Sequence, residues 1–435
     1  SSIMTKLLRL LVAASLLLLL TSRLPAQTPD LAGGVTPIQF EGTAFGTSYS
    51  IRFVPATGHA APSSLGQEVT DLLDEIDRQM SLWRDDSELS RFNRSDSLDW
   101  FPLSEETVHV VAAAVEISHQ TEGAFDPTVA PLVRLWSFGP NQQPLQVPTE
   151  EVINETKQHV GIDILEVRLS PPAIRKLDPQ VQLDLNAIAK GDAVDRVAQL
   201  LKSYEPKGLM VEIGGEVRTS GTHADGSPWG IGIERPLVGQ RELQSILDLT
   251  DAALATSGDY RNYVESEGIR YSHTIDPRTG RPIDHKLASV SVVADDCMTA
   301  DAWATALMVL GPEEGARIAS ANKLGALFLV HDGDGFIVHQ TPSFPPTRDP
   351  VPSSAQGTTL STFLLTAVVF GVAIAGMAIG VILSNRRLRG SCGGLQGLKD
   401  EKGNPLCESC TTPSAECEEL RAKVAASISK PSESQ

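Results

Sequence analysis

Apolar and polar positions alternate over residues 39–53, the period of a half-buried strand, and the alternation turns at Gly46-Thr47, so this stretch predicts a hairpin. From Ser64 the period lengthens. Leu65, Val69, Leu72, Leu73 and Ile76 fall on one helical face, predicting a helix that ends at Met80. Residues 107–121 predict a second helix, closed by the turn Gly123-Ala124-Phe125-Asp126-Pro127. A third opens with Asp184 in the N-cap position and continues through Val194, Val197, Leu200 and Leu201. Residues 211–217 read as a strand broken by Gly214-Gly215, where paired glycines let a ligand approach the backbone. Residues 229–234 and 287–293 supply further strands. A last helix is expected from an N-cap at Thr299 to Leu310, with Gly311-Pro312 as its stop. Helices and strands intermix without strict βα alternation or internal repeat, which predicts an α+β body over residues 38–341.

Both ends depart from this pattern. Residues 4–26 carry a short basic start (Lys6, Arg9), an apolar run and a small residue, Ala26, at a cleavage point, and are expected to act as a signal peptide or N-terminal anchor. Residues 342–360, rich in Thr, Pro and Ser, read as a linker. Residues 361–383 contain no charge, and at about 1.5 Å per residue they are long enough to cross a hydrocarbon core of about 30 Å, so a transmembrane helix is expected. Arg386, Arg387 and Arg389 follow, and the positive-inside rule puts residues 384–435 in the cytoplasm and the large body outside it.

The 435-residue chain carries a net charge of −18, which argues against a nucleic-acid partner. An anionic small ligand would need local compensation from a cation, a helix N-terminus or singly placed Arg and Lys. Of five cysteines only Cys297 lies in the body, which therefore relies on its core and not on disulfides. Cys392, Cys407, Cys410 and Cys417 cluster in the tail, and a C-x-x-C pair in a reducing compartment favours soft metal ligation over bridges.

The chemistry concentrates in two stretches. His273 stands beside the turn Asp276-Pro277-Arg278-Thr279-Gly280, and Asp301 and Thr305 are four apart on a helix, so a carboxylate and a hydroxyl can reach one ion. A base and a metal together suggest phosphoryl-group transfer. Each residue has a plainer reading too: Thr305 as a helical threonine bonded to its own backbone, Asp276 and Asp126 as turn residues, Asp184 as a cap, Trp83 and Phe125 as core.

Together, Gly42-Thr43-Ala44-Phe45-Gly46-Thr47, Gly123 to Pro127, Asp184 to Gly191, Glu212-Ile213-Gly214-Gly215 and Ser272-His273-Thr274-Ile275-Asp276-Pro277 through Leu310 resemble, in order, the ApbE family of FAD:protein FMN transferases. The resemblance implies an α+β body with an FAD cleft, and transfer of FMN from FAD to a Thr or Ser hydroxyl of another protein with release of AMP. It implies a Mg²⁺ site made by the Ala187 carbonyl, Asp301 and Thr305. It also implies flavin contacts at Phe45, Trp83, Ala124, Phe125, Asp126, Asp184, Lys190 and Ile275, with His273 as the base and Asp276 orienting it. Two positions depart from the pattern: Ala304 stands where some members carry a second carboxylate, and Phe45 where methionine is common. Water can complete a Mg²⁺ shell that lacks one carboxylate.

The tail, with Gly390-Ser391-Cys392-Gly393-Gly394-Leu395, then Cys407-x-x-Cys410 and Cys417, resembles NqrM, which helps mature the sodium-pumping NADH:quinone oxidoreductase. That likeness implies iron handling at the four cysteines, and acceptors among the flavin-carrying subunits of the same respiratory complex. A Mg²⁺-dependent FAD pyrophosphatase and a non-catalytic FAD-binding electron carrier are the competing readings of the body.

Overall fold

The computed structural model describes residues 36–56, 62–140, 144–237, 239–259, 263–266 and 268–350, together with Thr366 and Phe370. The chain divides into two units, Ser1–Pro350 and Val351–Gln435, and only Thr366 and Phe370 of the second are described. The signal segment, the expected transmembrane helix at 361–383 except Thr366 and Phe370, and the four tail cysteines therefore lie outside the described residues. Among the described residues no helix is long and apolar enough to cross a membrane.

Eight strands form the central sheet: β1 (Ile38–Ala44), β2 (Thr47–Val54), β3 (Gly208–Ile213), β4 (Glu216–Gly221), β5 (Ala253–Gly258), β6 (Leu287–Ala294), β7 (Gly325–Asp332) and β8 (Gly335–Gln340). They lie side by side in chain order, each antiparallel to its neighbour. Four long helices are inserted between strands: α1 (Leu65–Met80), α2 (Glu105–Gln120), α3 (Ala189–Lys202) and α4 (Cys297–Ala321). The intermixing read from the sequence thus becomes helices set against an antiparallel sheet.

Strand alternation divides the sheet's side chains between two cores. On β3, Leu209, Val211 and Ile213 join the core shared with the helices, and Met210 packs on the other face. Likewise on β7, Ala326 and Phe328 face the helices, whereas Leu327 and Leu329 face a small sheet of Trp229–Glu234, Leu243–Leu249 and Thr347–Arg348. Each fully buried Leu, Val or Phe contributes roughly 1.5–3 kcal/mol against its exposed state, so a register slip by one residue would forfeit both cores together.

Five local expectations are corrected. The break at Gly214-Gly215 is a hairpin turn, because β3 and β4 pair antiparallel from Ile213–Glu216 outward, and both glycines take positive φ. The N-cap of α4 is Asp296, whose side chain accepts from Thr299 N, so the helix starts ahead of Thr299. At Gly311 (φ 79°, ψ −178°) the helix breaks as the Gly-Pro pair implied, but a second helical segment follows directly. Asp184 does not cap α3, which begins at Ala189 after Ile188. Its Oδ1 instead accepts from Asn186 N at 2.8 Å, closing a local turn. The linker expected from residue 342 also starts later: Phe344 is buried in the second core, and Thr347 and Arg348 pair with Leu247 and Ile246.

One buried charge has a measurable consequence. Asp192 on α3 is 8 % exposed, and its Oδ2 is without a hydrogen-bond partner among the described residues. Burial pushes its carboxyl up to about 7, Arg196 pulls it down, and Asp195 and Glu106 push it up. Because the folded value exceeds that of an unfolded aspartate (about 3.9), folding takes up a proton, and stability is lost as pH rises from there through about 7. Asp192→Asn is expected to melt higher than the parent by on the order of 1–3 kcal/mol above pH 7. The gap should close in acid, as calorimetric melting at both ends of that range would record.

Candidate active site

A cleft of about 1450 Å³ opens between the β1–β2 hairpin, α1, the loops before α3, the His273 loop and α4. The β1–β2 turn has two residues, Phe45 and Gly46, both at positive φ (53° and 74°). This is the I′ geometry that suits the twist of the strands. A phenylalanine in the left-handed region costs on the order of 1–2 kcal/mol. The turn carries that strain at a residue lining the cleft. Trp83, which lines the same cleft, is 67 % exposed, so the core reading of this residue fails and its ring offers a stacking surface. Phe125 is buried, its backbone N–H donating to Thr121 Oγ1 at the end of α2.

The wall between them is built from backbone-fixing aspartates. Asp126 accepts from Thr128 N (2.7 Å) and Thr128 Oγ1 (2.6 Å), and burial raises its carboxyl above the ordinary range. Asp184 N donates to Pro127 O at 2.8 Å, tying the two predicted cofactor segments together. Burial also raises the Asp184 carboxyl. On the far side, Asn93 acts as a backbone mimic: its Nδ2 donates to Leu183 O and its Oδ1 accepts from Leu183 N, both at 2.8 Å. Lys176, fully buried, holds that loop by donating to Ser95 O at 2.7 Å. Sequence reading assigned neither residue, since nothing in local spacing marks a partner 90 positions away. The segment so held leads through Ala187 into α3.

Helices α3 and α4 meet at Gly191, where a Cβ would lie 2.3 Å from Cys297 O. That closeness lets Gly191 N donate to Asp301 Oδ2 at 3.0 Å, and Asp195 on α3 accepts from Cys297 N and Met298 N at 2.9 Å each, holding the start of α4. Asp301 is 3 % exposed; burial pushes its carboxyl up to about 6 against the pull of Lys190. Thr305, one turn on, faces the cleft with its hydroxyl 3.2 Å from Ser257 Oγ. Lys190 Nζ sits 2.8 Å from Glu216 Oε1 and 3.5 Å from Asp301 Oδ1. Burial alone would lower the ammonium, but these carboxylates hold it above its ordinary range. Glu216 escaped sequence analysis because it follows the glycine pair as an ordinary strand residue.

His273 also lines the cleft, its ring 6.4 Å from that of Phe138 in an edge-on arrangement. The loop behind it is anchored by a third apolar cluster of Leu132, Trp136, Phe138, Ile153 and Ile275, and Trp136 Nε1 donates to Gly280 O at 2.8 Å. Asp276 does not line the cleft. Its Oδ1 accepts from Arg278 N (2.9 Å) and Nε (3.0 Å), and its Oδ2 from Arg278 Nη2 (2.9 Å). That is the turn-residue alternative for Asp276, and its carboxylate shapes the loop that carries His273. Every other predicted flavin, metal and base residue of the body lines the one cleft.

Chemically, the cleft combines an imidazole, a lysine, oxygen donors of a carboxylate and an alcohol, and aromatic rings at Phe45 and Trp83. Residues 45–328 match the model of the ApbE family, and residues 381–430 match that of (Na+)-NQR maturation NqrM. An FAD:protein FMN transferase of Vibrio cholerae is 45% identical over 337 residues, covering 78% of this chain and 98% of that protein. The Escherichia coli K12 protein of the same name is 36% identical over 336 residues, 77% of this chain and 95% of its own. Among solved structures, the flavin transferase ApbE from Vibrio cholerae superposes with a TM-score of 0.65 at 45% identity, over 71% of this chain and 98% of that one. The apo form of Pseudomonas stutzeri flavinyl transferase ApbE gives 0.66 at 39% identity, over 72% and 97%. With a family model spanning well over half its length and relatives matched almost end to end, the chain belongs to the ApbE family.

Proposed function

We propose that this chain is a Mg²⁺-dependent FAD:protein FMN transferase acting on Thr or Ser residues of respiratory-complex subunits of the sodium-pumping NADH:quinone oxidoreductase type, with a tail that assists iron delivery to the same complex. The family assignment supports the transferase activity itself. The observation that carries the reaction is the cleft: its volume of about 1450 Å³ is lined by His273, Asp301 and Thr305 together. Small-molecule sites usually occupy roughly 300–1,000 Å³, so a dinucleotide can enter and leave room for a segment of a second substrate.

The donor set suits magnesium. Asp301 and Thr305 are hard oxygen ligands one turn apart, Asp301 is fixed by Gly191 N, and the Ala187 carbonyl is the third donor of the proposed set. When bound, Mg²⁺ supplies neutralisation of charge on the diphosphate. The chain's own residues do the rest. Phe45 and Trp83 offer rings for the flavin, and Lys190 offers a positive charge to the phosphates. The acceptor hydroxyl attacks the phosphorus of the FMN half. A new P–O bond forms, the P–O bond to the AMP phosphate breaks, AMP leaves with that oxygen, and the hydroxyl proton passes to His273. Imidazole is the side chain suited to that exchange near neutral pH.

The match of residues 381–430 to an NqrM model supports the choice of acceptor complex and the role of Cys392, Cys407, Cys410 and Cys417 in iron handling. The proposed layout keeps the catalytic body outside the inner membrane, an uncleaved or cleaved signal before it, a linker and one transmembrane helix after it, and the cysteines in the cytoplasm.

The decisive experiment incubates the protein with FAD, Mg²⁺ and an acceptor subunit and weighs the acceptor. An increment equal to an FMN phosphodiester is expected. AMP and free FMN accumulating over an unmodified acceptor would make it a pyrophosphatase instead. His273→Ala is expected to reduce transfer by roughly 10²–10⁴, the usual share of a general base, and retained transfer would remove His273 from the mechanism.

A further inference from the structure

Three charged side chains meet at the floor of the cleft, and their charges do not balance. Lys190 brings one positive charge, Asp301 and Glu216 one negative charge each. Both carboxylates are almost wholly buried, with side chains 4% and 5% exposed. The nearest further cation along β4, Arg218, is bonded to Asp195. The contacts are also unequal, since Lys190 Nζ is 2.8 Å from Glu216 Oε1 and 3.5 Å from Asp301 Oδ1. The second oxygen, Glu216 Oε2, is buried with no hydrogen-bond partner among the described residues. Backbone shape accommodates this carboxylate. A Cβ at Gly214 would lie 3.3 Å from Glu216 Oε2 and 2.9 Å from Thr47 Cγ2, and its φ of +68° favours glycine.

We propose that Glu216 is a positioning residue that draws the Lys190 ammonium toward itself, so that Lys190 keeps only the longer 3.5 Å contact to Asp301 Oδ1 and competes less with a divalent cation for that carboxylate. The inference rests on the reading of Asp301 as the Mg²⁺ ligand and adds a residue that acts through Lys190. With Glu216 in place the cluster carries a net charge of −1 and attracts a cation. Without it, Lys190 and Asp301 form a neutral internal ion pair in a poorly solvated site, where the lysine competes directly with the metal. Glu216 thus makes one lysine compatible with two tasks, contacting an anionic substrate and sharing a pocket with a cation.

The test is magnesium binding, read by calorimetric titration of MgCl₂ into the full-length protein, with FAD affinity measured separately without magnesium and folding checked by thermal melting. Glu216→Gln neutralises the cluster and is expected to weaken Mg²⁺ binding by at least about tenfold. Adding Lys190→Met to it returns the net charge to −1 and is expected to recover most of the lost affinity. Glu216→Asp, which keeps the charge at shorter reach, should fall between wild type and Glu216→Gln, and it serves as the readout if Glu216→Gln fails to fold. Wild-type affinity in a folded Glu216→Gln or Glu216→Asp protein would overturn the proposal. So would a double variant as weak as Glu216→Gln alone, since Glu216 would then not act through Lys190. A wild-type protein that binds no Mg²⁺ would instead overturn the metal reading on which this one stands.

Discussion

Replacing Asp301 by Asn is expected to cut FMN transfer by roughly 10²–10³, the scale seen when one charge-stabilising group is removed from a preorganised site, with little change in melting temperature. The two halves of that expectation come from different atoms. The amide oxygen of Asn can still accept from Gly191 N, which now donates to Asp301 Oδ2 at 3.0 Å, so the α3–α4 contact survives. The negative charge is lost, and with it the electrostatic hold on a hard cation. Burial already opposes that charge, since it pushes the Asp301 carboxyl up to about 6, so the neutral amide removes a desolvation penalty from the ligand-free fold. Transfer should be followed by the mass of the acceptor at increasing Mg²⁺. Activity within threefold of the parent at all Mg²⁺ levels would take Asp301 out of the mechanism.

The largest structural effect is expected at Gly191. Its added Cβ would fall 2.3 Å from Cys297 O and 2.7 Å from Met298 Cα, both backbone atoms of α4 that no side-chain rotation can withdraw. Gly191→Ala must therefore separate two helices that pack together and share the Asp195 bonds to Cys297 N and Met298 N. Overpacking of this kind costs about 1–3 kcal/mol or more, and a chain of this size melts roughly 2–4 °C lower per kcal/mol lost. The same movement lengthens the Gly191 N to Asp301 Oδ2 bond. Calorimetry of the folded body and the transfer assay should thus both register the substitution. An unshifted melting temperature would mean that the helices are not in close contact at this point.

These two residues also mark the limits of reading the chain as a string. Asp301 and Thr305 announce themselves because one helical turn separates them, and the motifs around Phe45, Ala124 to Asp126, Asp184 and His273 are each short and local. The cleft that unites them was legible only through the family resemblance those motifs carry together. Gly191 was visible only as the end of a motif, because its meaning lies in a helix more than a hundred residues on. Glu216, Asn93 and Lys176 act through partners distant in sequence, and no periodicity encodes such pairs. Caps failed for a different reason. Asp296 and Thr299 are both cap-forming types, and only the hydrogen bond from Thr299 N to Asp296 Oδ1 decides between them. At Asp184 the side chain found a competing local bond, to Asn186 N. The tether was misplaced because Pro- and Thr-rich sequence can still add a strand when one apolar anchor, here Phe344, lands in a core.

The walls of the cleft run in sequence from Thr43 on the first hairpin to Val309 near the break in α4. The complete lining is therefore present only after the ribosome has released nearly the whole body, and no proteolytic fragment ending short of α4 can retain it.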